Sequence, residues 1–238
     1  MNHSSGFFVT GTDTEVGKTL VSGALILKLR AQGKHALGFK PVVAGTYLGP
    51  DDKLLNEDLE TLRIASNLAP DQLNLCPYIL DEPAAPHLVA RSQGVNLGLA
   101  GVLQAFGDLQ KQTDFVVVEG AGGFLVPLNE QEDLGDFAQE IHLPVILVVG
   151  MKLGCINHAL LTIEALKSRQ LKIAGWVANT LSQEMYLLNE NIETLLSQID
   201  APFLGTIPPL PSALQKLNNS PYSIKALEFA AQHIQLPK

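Results

Sequence analysis

The sequence predicts a single α/β domain in which helices flank a parallel sheet, and three observations lead there. Short apolar runs rich in Val, Ile and Leu recur, as in DFVVVE at 114–119 and PVILVVG at 144–150. Longer segments of helical period separate them. A glycine-bearing turn, GTDTEVGKT at 11–19, lies between the first run and the first helix. Strands that are apolar at every position are buried on both faces, as in parallel sheets covered by helices.

In chain order, residues 7–10 form the first strand, and apolar residues at 20, 21, 24, 25 and 29 then mark one face of a helix. His35 to Lys40 reads as a second strand. A helix carrying Leu99, Val102, Leu103, Phe106 and Leu109 precedes the strand at 114–119. Strands at 144–150, 173–178 and about 203–207 follow, with helices between them at about 157–170 and 184–199. At 238 residues, one domain is expected over 1–238, its core about 7–209 and its end, about 210–238, a helical segment. Ligands of such sheets bind beyond the carboxyl ends of the strands.

Sixteen basic against 24 acidic side chains give a net charge of −8, with the basic residues scattered. No nucleic-acid or anionic-membrane surface is therefore expected, and an anionic ligand would need locally gathered lysines. The apolar runs are too short to span a bilayer and no targeting segment is readable, so a cytoplasmic location is expected. The two cysteines, Cys76 and Cys155, form no metal or disulfide pattern, and Cys155 reads as a small residue in a turn.

The turn at 11–19 has the parts of a phosphate loop, since backbone N–H groups and a helix dipole favour an anion where a strand gives way to a helix. Gly17 permits close backbone approach, Lys18 brings positive charge and the Thr19 hydroxyl can ligate Mg²⁺. The spacing is a variant: the usual pattern needs glycine at 12, where Thr12 stands, and the nearest is Gly11. Glu119 ends a buried strand and is followed by Gly120, Ala121, Gly122 and Gly123, a run whose amides suit a phosphate. Asp58 reads either as a metal ligand or as a helix-start acid. Lys40 reads either as an exposed lysine or as a cation beside a transferring phosphoryl group.

Together these residues resemble the dethiobiotin synthetase family. The likeness rests on GTDTEVGKT at 11–19, GFKPV at 38–42, Pro77-Tyr78, EPAAPH at 82–87, VEGAGG at 118–123, PVILVVGMKLGCINHA at 144–159, GWVAN at 175–179 and LGTIP at 204–208. It implies a P-loop NTPase-like fold with a variant phosphate loop, assembled as a homodimer. The implied reaction takes 7,8-diaminononanoate, CO₂ and ATP with Mg²⁺ to dethiobiotin, ADP and phosphate.

By the same resemblance, Lys18 and Lys40 are catalytic, and Thr19, Asp58 and Glu119 hold the magnesium. Glu15, Val16, Gly17, Leu20, Gly120, Ala121, Gly122 and Thr180 line the nucleotide. Asn179 reads the adenine, and Pro208, Pro209 and Leu210 cover it. Thr14 and Lys40 face the substrate, and Gly154, Cys155 and Asn157 of the other subunit hold its carboxylate. Asn157 also reads as the N-cap of a helix starting at His158. Ala44 departs from the Ser or Thr common there, with Thr46 a possible substitute, and Ala84-Ala85 is less hydroxyl-rich than the family pattern.

Three rival readings fit less well. A partition-type switch ATPase would carry a signature lysine early in its loop, where Gly11-Thr12-Asp13-Thr14 has none. A GTP switch would need an Asn-Lys-x-Asp reader, unlike Asn179-Thr180-Leu181-Ser182. An amide-forming enzyme of cobalamin synthesis usually carries a glutaminase domain, for which this length leaves no room.

Overall fold

A computed structural model describes residues 5–49, 52–70, 72–182 and 185–237. The strands are β1 (Ser5–Gly11), β2 (Ala36–Phe39), β3 (Val42–Ala44), β4 (Tyr47–Leu48), β5 (Leu54–Leu55), β6 (Tyr78–Leu80), β7 (Phe115–Glu119), β8 (Val145–Met151), β9 (Ile173–Thr180) and β10 (Phe203–Ile207). The helices are α1 (Lys18–Ala31), α2 (Glu57–Ser66), α3 (Pro86–Gln93), α4 (Leu99–Gln110), α5 (Leu134–Ile141), α6 (Cys155–Ser168), α7 (Leu188–Gln198) and α8 (Ile224–His233).

Six strands form one parallel sheet in the order β10-β9-β8-β1-β7-β2. β3 pairs with β6 in a second small sheet, and β4 with β5 in a third. Alternation along β8 explains its unbroken apolar run. Leu147, Val149 and Met151 join a cluster with α6 and α7 residues, while Ile146 and Val148 belong to the larger core that α1 also enters. Both faces are thereby covered, as parallel pairing requires.

Helix starts divide by chemistry. Asn56, Asp133 and Ser223 cap α2, α5 and α8 with their side chains. By contrast, α1 and α6 start from Gly17 and Gly154, at φ of 90° and 92°, with no side-chain cap. The first N–H groups of a helix have no partner four residues back, so both ends stay available to a ligand.

Two expectations are corrected at α6. It starts at Cys155, so Cys155 is a buried helical residue rather than part of a turn. Asn157 consequently sits in the first helical turn and is not the cap, because the left-handed Gly154 already starts the helix. The helix expected at 184–199 spans Leu188–Gln198, and Glu184 lies outside the described residues.

The chain's last helix returns to the core. α8 packs on α1 and reaches β10, where the Gln235 N–H donates to the Leu204 carbonyl at 2.7 Å. Gly205 permits this contact: its φ is 137°, and a Cβ there would lie 2.2 Å from the His233 carbonyl oxygen.

Candidate active site

The phosphate loop follows β1, in the middle of the sheet, and Thr12 ties it to β8 by donating to the Val148 carbonyl at 3.1 Å. Glu15 takes a left-handed conformation, Val16 is buried and Gly17 turns the chain into α1. Only glycine fits at 17, because a Cβ would fall 2.1 Å from Asn179 Nδ2. That amide group donates to the Val16 carbonyl at 2.9 Å, while Asn179 Oδ1 is buried with no partner. The hydroxyl of Thr180 is likewise buried and unpartnered.

Lys18 folds back over the loop. Its Nζ donates to the Asp13 carbonyl at 2.9 Å and to the Gly122 carbonyl at 2.5 Å, joining the phosphate loop to the glycine run after β7. Burial, then the neighbouring charge of Lys40, lowers its pKa to about 8. Leu20 is buried beneath the loop. The Gly120 N–H is spent on the Val9 carbonyl.

The structure gathers four side chains that the sequence scatters. Thr19 Oγ1 donates at 2.7 Å to Asp58 Oδ1 and lies the same distance from Glu119 Oε1. Lys40 Nζ reaches Asp58 Oδ2 at 2.8 Å and Glu119 Oε1 at 2.6 Å. Lys40 and Glu119 are both buried, the latter completely, and Glu119 Oε2 has no partner.

Sheet order makes this possible. Lys40 follows β2 and Glu119 ends β7, which are neighbours, and Asp58 arrives from the first turn of α2. Asp58 is thus a helix-start acid and at the same time a member of this cluster.

Charge balance sets the protonation of the group. Burial alone would lower the pKa of Lys40, but the carboxylates of Asp58 and Glu119 outweigh it and hold the ammonium above its ordinary value. For Asp58, Lys40 likewise overcomes burial and brings the carboxyl down to about 2. Burial dominates at Glu119, whose pKa is raised.

Other expected residues occupy the segments that follow neighbouring strands. Thr14 sits beside Gly122, and Pro208, Pro209 and Leu210 follow β10, half-buried. Gly154, Cys155 and Asn157 start α6 beyond β8. There the Cys155 N–H donates to the Lys152 carbonyl, and its sulfur lies 3.8 Å from Asn191 Oδ1. Thr46 turns toward the Asp81 carbonyl, with its hydroxyl 3.5 Å away.

One pair escaped the sequence reading. Lys152 Nζ lies 2.8 Å from Asp13 Oδ2, bridging the phosphate loop to the turn before α6. This bond comes first among the causes that lower the pKa of Asp13. Opposite charges just past the ends of two central strands were the available signal.

A family model described as an AAA domain matches residues 5–216. A Ralstonia nicotianae protein named ATP-dependent dethiobiotin synthetase BioD is 48% identical over 220 residues, covering 92% of this chain and 96% of the relative. A protein of the same name from Xanthomonas campestris pv. campestris is 42% identical over 232 residues, covering 98% of each. Among solved structures, the septum site-determining protein MinD from Pyrococcus horikoshii, complexed with Mg-ADP, aligns with a TM-score of 0.55 at 15% identity, covering 96% of this chain and 95% of that one. A ParA family ATPase from Chlorobium tepidum gives 0.54 at 15%, covering 90% and 87%. At such identity the two structures establish the P-loop NTPase-like fold alone.

Proposed function

The chain belongs to the ATP-dependent dethiobiotin synthetase family, and we propose that Lys18 and Lys40 carry its chemistry. The enzyme is an ATP-dependent ligase that closes a cyclic urea on 7,8-diaminononanoate with CO₂ to give dethiobiotin, ADP and phosphate. One substrate amine adds to CO₂ and loses a proton, giving a carbamate. A carbamate oxygen attacks the γ-phosphorus as ADP leaves. The second amine then attacks the carbonyl carbon and expels phosphate.

No protein nucleophile takes part, so the chain contributes position and charge. Lys18, with the amides of Glu15 to Gly17 and of Ala121 and Gly122, holds the phosphates, and Leu20 supports the loop from below. Asn179 and Thr180 face the base through their unpartnered oxygens, and Pro208 to Leu210 cover it. Lys40 lies between carbamate and γ-phosphate. An ammonium has three N–H groups, and with two directed at Asp58 and Glu119 one remains for a substrate oxygen. This buried lysine, paired with two carboxylates, is the observation that carries the assignment.

Magnesium fits the donor set. Thr19, Asp58 and Glu119 offer hard oxygen ligands, and Glu119 Oε2 is a buried acceptor without a donor. The charges of Lys18, Lys40, Asp58 and Glu119 already cancel, so a bound triphosphate calls for added positive charge. Those three residues would hold the ion, which neutralises phosphate charge when bound.

The site is completed by a second copy of the chain. Gly154, Cys155 and Asn157 of that copy seat the substrate carboxylate, with Thr14 on the near side. Support comes from exposed apolar side chains on and before α6 and α7, two helices that pack on each other: Leu153 is 98% exposed and Tyr186 85%, with Leu161, Leu187 and Leu196 also exposed. No described helix is long and apolar enough to cross a membrane, and the homodimer is assigned to the cytoplasm. Incubation with diaminononanoate, bicarbonate, ATP and Mg²⁺ should yield dethiobiotin with ADP and phosphate; ATP hydrolysis without dethiobiotin would overturn the reading.

A further inference from the structure

The segment between β10 and α8 contains a short 3₁₀ turn at Ser212–Leu214 and then lies against α2. Two contacts hold it there, and a third braces the segment from within. Lys216 Nζ is 2.6 Å from Glu57 Oε1, and the same ammonium stands 5.5 Å from the centroid of the Tyr222 ring. The Tyr222 N–H donates at 3.0 Å to Thr61 Oγ1, and that buried hydroxyl donates at 2.7 Å to the Glu57 carbonyl.

Both contacts with α2 land on Glu57 to Thr61, the turn that carries Asp58, while the ring contact steadies Lys216 within the segment. From inside, the turn is held by Asn56, whose Oδ1 accepts from the Asp58 and Leu59 N–H groups and whose Nδ2 donates to the Gly45 carbonyl. First turns are where helices fray, and fraying here would move the Asp58 carboxylate off Thr19 and Lys40. The upstream end of the segment begins at the base-covering loop, where Gln215 Nε2 donates to the Leu210 carbonyl at 3.1 Å.

We propose that residues 211–223 form a strap fixing the first turn of α2, with Lys216 as a positioning residue for Asp58 and Tyr222 as its platform. The proposal rests on the reading above that Asp58 serves the cation side of the nucleotide site. The Tyr222 phenol agrees with a site so placed: burial first, then the Asp58 and Glu57 charges, push its pKa up to about 12. The strap connects the loop over the base to the carboxylate at the phosphates.

Calorimetry of ADP binding with and without Mg²⁺ tests this on the full chain. A partly exposed ion pair contributes modestly, so Lys216→Ala should weaken binding in Mg²⁺ by roughly two- to fivefold. Mg²⁺-free ADP binding should not change, and Lys216→Arg should restore the parent value. The Lys216→Ala/Glu57→Gln double variant should be no worse than either single one, since each breaks the same pair. Amide exchange in a peptide spanning 56–62 should quicken in Lys216→Ala. Equal losses with and without Mg²⁺, or no loss, would overturn the strap. Asp58→Asn separates the two levels: if it leaves the Mg²⁺-dependent gain intact, the reading of Asp58 falls, whereas a shift there with none in Lys216→Ala refutes the strap alone.

Discussion

Lys40 Nζ lies 2.6 Å from Glu119 Oε1, although 79 residues separate the two in the chain. The sheet explains the contact: Phe39 is in register with Val118, so the next residue on each strand emerges beside the other. A buried carboxylate and a buried ammonium meet where the phosphate loop opens, and each makes the other tolerable.

Lys40→Ala removes the counter-charge of Glu119. Breaking such a buried pair costs about 3–5 kcal/mol, which a denaturant melt would register. Turnover should fall by about 100-fold or more while ADP affinity stays near the parent value. Near-normal dethiobiotin formation would refute the role given to Lys40.

Gly17→Ala must place a Cβ against Asn179 Nδ2 at a φ of 90°. Backbone strain alone is about 1–3 kcal/mol. The loop should shift, and titration calorimetry should detect no ADP binding to the folded variant; parent-like affinity would count against the described loop conformation.

Asn157→Ala tests a substrate contact free of any capping role. The residue is exposed in the first turn of a helix that Gly154 starts, so folding stability should change by less than about 0.5 kcal/mol. The KM for diaminononanoate should rise about tenfold, the equivalent of one good hydrogen bond, with ADP affinity unmoved. Parallel losses in both affinities would argue for a general structural fault.

The lowered pKa of Lys18, about 8, gives nucleotide binding a proton signature. Phosphates favour the charged ammonium and raise that value, so binding at pH 8 should take up about half a proton from this lysine, and at pH 6 almost none. Calorimetry in buffers of different ionisation enthalpy reads this directly; the same heat in every buffer at pH 8 would contradict it.

A site shared between subunits predicts complementation. Mixing Lys40→Ala chains with Asn157→Ala chains leaves each mixed dimer one site with both defects and one with neither. Activity should recover in proportion to the mixed species, whereas additive residual activities would place the whole site within one chain.

The parallel sheet was legible because β7, β8 and β9 are buried on both faces and therefore read as unbroken apolar runs. The phosphate loop was legible because strand, glycine turn and lysine are contiguous. Asp58 was ambiguous for the opposite reason: its partners Thr19 and Lys40 come from other elements, and no local pattern tells that β2 lies beside β7. Asn157 looked like a helix cap because Asn commonly is one, but Gly154, at positive φ and three residues before it, already starts the helix. The role of 211–223 was unreadable because Lys216 gains meaning only against Glu57.

Returning to Lys18, Lys40, Asp58 and Glu119, two cations and two anions make an interior that is electrically settled before any guest arrives. The chain should therefore finish folding in nucleotide-free, chelated solution, its assembly uncoupled from the supply of what it consumes. Stripping divalent ions should silence the catalyst while leaving the melting curve of the nucleotide-free chain where it was.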